Sequence, residues 1–156
     1  MDPQPPSLEE LDLSGCNLTW IHSDAFQFLP PPSFRLLNLS FNPQLLTGVA
    51  RREGHFRVRS LLHGLRGVAG LQSLDLSGLG LATVTNETFD FLSTTRLAEL
   101  RLRQNELVHW DDRKIGQDLK LLRKLDLSHN YIESVRGLDV MTKLEEVRGK
   151  GRAGVM

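Results

Sequence analysis

The chain has one cysteine, Cys16, and therefore no internal disulfide. A scaffold without that staple is held by burial alone, and a lone thiol points to a reducing compartment or to a piece of something larger. Charge of one sign is also missing. Nineteen Lys and Arg balance nineteen Asp and Glu, so no overall field draws the chain to nucleic acid or to an acidic membrane surface. No apolar run approaches the roughly 20 residues that cross a bilayer. Met1 to Leu8 has neither the basic start nor the apolar stretch of a signal peptide, so the expectation is a chain with no export signal or anchor of its own. Catalytic sets are absent too. The histidines at 22, 55, 63, 109 and 129 share no spacing with a nucleophile and an acid, and there is no phosphate-cradling glycine loop and no H-E-x-x-H. Neither an enzyme nor a cofactor or metal is expected.

What is present is a repeated unit. Leu122, Leu125, Leu127, Asn130 and Ile132 fit L-x-x-L-x-L-x-x-N-x-L, and the alternation Leu125, Asp126, Leu127 has the period of a strand with one face buried. Leu8, Leu11, Leu13, Cys16 and Leu18 hold the same places. So do Phe34, Leu37, Leu39, Asn42 and, one residue late, Leu45; then Leu71, Leu74, Leu76, Leu79 and Leu81; then Leu97, Leu100, Leu102, Asn105 and Leu107. A sixth unit starts at Leu144 and Val147 and stops. Starts near 8, 34, 71, 97, 122 and 144 lie 26, 37, 26, 25 and 22 residues apart, and all but one spacing fall in the range of leucine-rich repeats. One such unit cannot bury its own apolar face. Residues 8–147 are thus predicted to form a single curved α/β solenoid, with parallel strands on the concave side and irregular or short helical segments outside.

Each place in the unit carries its own expectation. An inward amide at the turn pairs buried backbone groups, which otherwise cost roughly 1–3 kcal/mol each, so Cys16, Asn42, Leu79, Asn105 and Asn130 form a turn ladder. Cys16 is expected to be a buried structural thiol. Leu79 cannot satisfy that turn, which makes it the loosest place in the row or one filled by water. Phe26 and Phe89 stand at equal offsets from Leu18 and Leu81 and predict an aromatic spine on the far side, continued by Trp110 and Ile115.

The long second unit returns to its neighbours' length once 49–59 is removed. That stretch, with four arginines against Glu53, reads as an inserted loop, either basic and partner-touching or simply solvated. A short outer helix is expected after it, from apolar residues 61, 62, 65 and 68. Pro30 to Pro32 form a stiff connector, 1–7 an irregular lead-in, and 148–156 a disordered tail. His109 with Asp111 and Asp112 reads as an acidic loop rather than a metal site.

The motif L-x-x-L-D-L-S-x-N-x-L, followed by A/T-F-x-x-L, resembles the typical leucine-rich repeats of extracellular proteins, including Toll-like receptor ectodomains and small proteoglycans. The resemblance implies an extracellular or ectodomain setting, capture of a protein or pathogen-derived ligand, pairing with a co-receptor and dimerisation through a lateral surface. The cysteine-rich flanks usual in that family are not matched by this sequence. Three sequons, at Asn17, Asn38 and Asn86, agree with such a setting. A cytosolic scaffold, or a truncated splice product without a binding role, would instead account for the missing signal, the single cysteine and the polar end.

Recognition is the remaining use of the architecture, and the outward residues beside each L-x-L give its candidates. Asp12, Asp75 and Asp126, with the serines two places on, belong to the repeat pattern. Arg101, Arg103 and Gln104 depart from it. Exposed arginine and aromatic residues are enriched in interface hot spots, so Phe41, Asp75, Arg101, Arg103, Gln104, Asp126 and His129 form the candidate ligand-binding set. The competing expectation is an arginine strand neutralised by the flanking aspartates.

Overall fold

A three-residue strand with one buried leucine has no independent stability. It gains it by pairing both edges with copies of itself and stacking its leucine on theirs. The computed structural model describes residues 7–22, 24–26, 29, 33–46, 62–85, 87–110 and 113–149. Its concave face is a parallel sheet of β1 (Glu10–Asp12), β2 (Leu36–Asn38), β3 (Ser73–Asp75), β4 (Glu99–Arg101), β6 (Lys124–Asp126) and β8 (Glu146–Arg148), in that order. Registers are in step, so Leu11, Leu37, Leu74, Leu100, Leu125 and Val147 form one file.

The ladder continues past the strands. Leu13, Leu39, Leu76, Leu102 and Leu127 donate their N–H to the carbonyls of Asn38, Asp75, Arg101, Asp126 and Arg148, at 2.7–2.9 Å. Around the turn, the N–H groups of Gly15, Phe41, Gly78 and Gln104 donate to Ser40, Ser77, Arg103 and Ser128.

The interior behind the sheet is apolar and continuous. Phe34, Leu71, Leu97 and Leu122 from the repeat starts join Leu37, Leu39, Leu74, Leu76, Leu100, Leu102, Leu125 and Leu127, all buried. On the convex side Phe26, Phe89, Trp110 and Ile115 are buried as expected, with the Phe89 and Trp110 rings 6.4 Å apart. A second, two-stranded parallel sheet of β5 (His109–Trp110) and β7 (Ser134–Val135) holds the last two return segments together. Between these two strands in the chain lies α1 (Arg113–Asp118), which packs against the 3-10 turns Asp90–Thr94 and Leu138–Val140. Gly116 permits that contact, because a Cβ there would stand 2.5 Å from the Gly137 carbonyl oxygen. Leu62, Leu65 and Val68 are buried as their spacing predicts, and among the described residues 62–63 are helical. Turns follow, with Gly67 at φ +91°. Leu61, the insertion 49–59, residues 1–6 of the lead-in and 150–156 of the tail lie outside the described residues.

The asparagine ladder works across coils. Asn105 Oδ1 accepts the N–H groups of Leu79 and Leu81, while its Nδ2 donates to the carbonyls of Leu76 and Leu102. Asn130 does the same for Leu107, Leu102 and Leu127, and Asn42 for Leu18, Leu13 and Leu39. Each asparagine therefore serves the turn of the coil before it as well as its own strand end.

Leu79, expected to be the loosest place in the row or one filled by water, is 1% exposed, and its N–H donates to Asn105 Oδ1 at 3.1 Å. Its own turn is served by Asn105. The coil that Leu79 would have served closes itself instead, through the 3-10 turn Pro43–Leu45, where Leu45 and Leu46 donate to Asn42 O and Gln44 O. That turn is also why repeat two carries its leucine one residue late.

Cys16 is a second correction. It is exposed, with its thiol 3.6 Å from the Ser14 carbonyl, because the described residues place no coil over the first repeat. For the same reason Leu8 is 45% exposed, and Val147 at the other end is 43% exposed. Arg148, placed in the tail by the sequence, is the final strand residue.

Candidate functional site

The concave face consists of the outward residues of the six strands. Asp12, Asn38, Asp75 and Asp126 each accept, through Oδ1, the N–H two residues on, from Ser14, Ser40, Ser77 and Ser128, at 2.8–3.0 Å. These are local caps that close the strand end. Hydrogen bonds from Ser14 hold the Asp12 carboxyl below its ordinary range. Ser40 and Ser77 are buried in this geometry rather than outward, so they leave the candidate surface.

Repeat four gives up that cap. Arg101 replaces the acceptor, so no side-chain oxygen closes the strand among the described residues, and Arg103 stands where repeats one, two, three and five have serine. Arg101 turns back to Glu99 on its own strand, at 2.8 Å, and toward Asp75 on the neighbouring one, at 3.7 Å. Arg103 does not reach an aspartate. Its guanidinium lies 3.4 Å from His129 Nε2, and among the described residues no carboxylate pairs with it.

Next to Arg103 runs a row of left-handed turn residues. Gly15, Phe41, Gly78, Gln104 and His129 all have φ between +55° and +65°. Glycine takes this conformation freely, whereas a side chain with a Cβ costs about 1–2 kcal/mol. Phe41 is half-exposed, and its ring lies over Gly78, with Cδ1 2.6 Å from where a Cβ on residue 78 would be. The row is therefore a ridge along the rim of the sheet.

The structure divides the predicted set in two. Asp75 and Arg101 come together as an ion pair, and Asp75 and Asp126 also serve as caps. Phe41, Arg103, Gln104 and His129 stand on the rim. Sequence reasoning missed Glu146 and Arg148, which join Glu99, Arg101, Lys124 and Asp126 in lining a depression of about 250 Å³. Glu146 bonds Arg148 at 2.6 Å and, with Asp126 and Glu99, raises its pKa. The available signal was the spacing Leu144-x-x-Val147, which continues the alternation one strand further. Arg123 and Glu145 form a comparable pair at the strand entrance, at 2.6 and 2.9 Å, and lower the Glu145 pKa.

Of the sequons, Asn17 is exposed, Asn38 is half-buried in its cap, and Asn86 lies outside the described residues. His109 Nδ1 meets Ser134 Oγ at 3.0 Å, whereas Asp111 and Asp112 are also outside the described residues. Among the described residues no helix is long and apolar enough to cross a membrane.

The family model described as Leucine Rich Repeat matches residues 7–29 and 121–142, the first and fifth units. With the six-stranded parallel sheet, this establishes a leucine-rich-repeat solenoid. Repeats of this kind are typically non-enzymatic, and the chain is a protein-binding repeat module. No curated protein is matched by the chain.

Proposed function

We propose that this module captures a protein partner on its concave face and rim, with Arg101, Arg103, Gln104, His129 and Phe41 making the contacts. The observation that supports this reading is repeat four, which gives up the cap kept by repeats one, two, three and five and puts two arginines in its place. Arg101 recovers ion pairs with Glu99 and Asp75 in exchange, whereas Arg103 recovers no carboxylate partner among the described residues.

The reading is tested by presenting the whole chain, wild type and Arg101→Glu with Arg103→Glu, to cell-surface and cytosolic extracts. Partners bound by the wild type are lost from the double variant at nearly the same melting point. Unaltered capture would remove the patch from consideration.

We further propose a receptor-like or secreted setting, in which the ligand is a protein or a pathogen-derived molecule and a lateral surface pairs with a co-receptor or a second copy. The repeat consensus and the exposed Asn17 support this, and 68%-exposed Trp20 is the leading lateral contact. The exposed thiol of Cys16 favours a second reading, a cytosolic scaffold, because reducing compartments keep such thiols free. Expression behind a signal peptide separates the two. A mass loss on glycosidase treatment that is smaller in Asn17→Gln supports the first, and no mass change in the wild type supports the second.

A further inference from the structure

The ridge at the rim has three features that the fold itself does not require. Phe41 holds a bulky side chain in a left-handed conformation where repeats one and three use glycine. Its ring is half-exposed and leans over Gly78. Backbone strain of this kind gathers at functional sites. Arg103 is the second feature. Arg101, Arg123 and Arg148 are each held by a carboxylate, whereas Arg103 has only His129 beside it, so its charge is uncompensated among the described residues. The third is Gln104, which stands between them; its backbone N–H bonds Ser128, and its side-chain amide has no partner among the described residues.

The Phe41 ring lies over Gly78 of repeat three, and the Arg103 guanidinium lies beside His129 of repeat five, with Gln104 of repeat four between them. Neighbouring strands lie about 4.8 Å apart, so two coils separate the two groups by about 9.6 Å along the row. A polyproline-II helix brings residues i and i+3 onto the same face about 9.3 Å apart and leaves its backbone groups free for an amide such as Gln104. A regular β-strand would put i and i+3 on opposite faces.

We infer that this ridge binds a left-handed extended peptide segment with a large apolar residue three places from an Asp or Glu. The apolar side chain stacks on the Phe41 ring, the carboxylate pairs with the Arg103 guanidinium, and Gln104 takes the intervening backbone. The inference rests on the recognition reading above and names the partner's chemistry. The free positive charge selects the acidic group, and the coil spacing selects the interval.

The test is fluorescence anisotropy of the full chain with fluorescein-labelled, proline-rich peptides of about nine residues that carry Leu and Glu two, three or five places apart. The three-place peptide is expected to bind at least tenfold more tightly than the other two. Replacing its Glu by Gln, or introducing Arg103→Ala or Phe41→Ala, is expected to lose at least tenfold, while Lys124→Ala changes binding less than twofold. Phe41→Asn, which removes the ring with a residue at ease at positive φ, must match Phe41→Ala and separates lost contact from lost fold.

Equal binding of all spacings, or no binding by any peptide, overturns the inference. So does tight binding of a sulfated oligosaccharide that depends on Arg103 and not on Phe41. Should the peptides fail while partner capture still depends on Arg101 and Arg103, the inference alone falls. Loss of both dependences removes the wider reading as well.

Discussion

Asn105→Leu separates the cross-coil role of the turn asparagine from simple occupancy of the position. Leucine is already present at the equivalent place in repeat three, where it is fully buried, so sequence pattern alone predicts tolerance. The hydrogen bonds predict otherwise. Removing the Asn105 amide strips its partners from the N–H groups of Leu79 and Leu81 and from the Leu76 carbonyl, while Leu102 O keeps the Asn130 amide at 2.9 Å. Three buried polar groups at about 1–3 kcal/mol each give about 3–9 kcal/mol. Relaxation and the added apolar burial of leucine offset part of this, leaving an expected cost of about 3 kcal/mol. Repeat two avoids the cost because Leu45 and Leu46 donate within the 3-10 turn; residues 79–81 have no such turn. Urea unfolding followed by circular dichroism measures the difference. A cost below about 1 kcal/mol would show that the amide is not needed across the coil and would refute the reasoning.

Three further outcomes follow from the packing and the charges. Gly116→Ala places a methyl 2.5 Å from Gly137 O and 2.6 Å from Val140 Cγ2, and should cost about 1–3 kcal/mol in the same assay. Trp110→Ala should cost about 3–5 kcal/mol, whereas Trp110→Phe should cost less than about 1.5, because it also removes a buried indole N–H that has no acceptor among the described residues. The Asp12 and Glu145 carboxyls are held below their ordinary values of 3.8 and 4.5, so the folded state binds their protons less readily than the unfolded chain. Their stabilisation is fully present above those values and is lost as pH falls through the lower folded ones. Melting points should thus stay flat down to about pH 4.5 and fall below it, with Glu145→Gln reducing the drop.

Much of the architecture was legible because it depends on period. The leucine file, the matched offsets of Phe26 and Phe89, and the continuation through Trp110 and Ile115 all follow from residues recurring at fixed places in a stacked unit. What depends on the neighbouring coil was not legible. The sequence marks where Asn105 stands but not that it serves the coil before it, and so Leu79 was misjudged. Cys16 fits the buried place of its motif, yet burial needs a coil on the other side, which the described residues do not supply. Positive φ at Phe41 and His129 was hidden by residue type, although Gly15 and Gly78 at the same place carried the hint. Of the site, the departure at Arg101 and Arg103 was visible as a break in pattern. The difference between them, one neutralised by Glu99 and Asp75 and the other not, emerged only from the geometry.

The account depends most on successive coils sharing one interior, and site-resolved hydrogen exchange tests that directly. The N–H groups of Leu13, Leu39, Leu76, Leu102 and Leu127 each donate to the next coil. Protection should rise from Leu13 to a common high value at Leu39, Leu76 and Leu102, then fall at Leu127, because Leu13 lies in the first described coil and Leu127 donates to the last, and each of those coils has a neighbour on one side only among the described residues. Exchange at Leu76 as fast as at Leu13, or separate opening of Leu39 and Leu102 as denaturant is added, would contradict it.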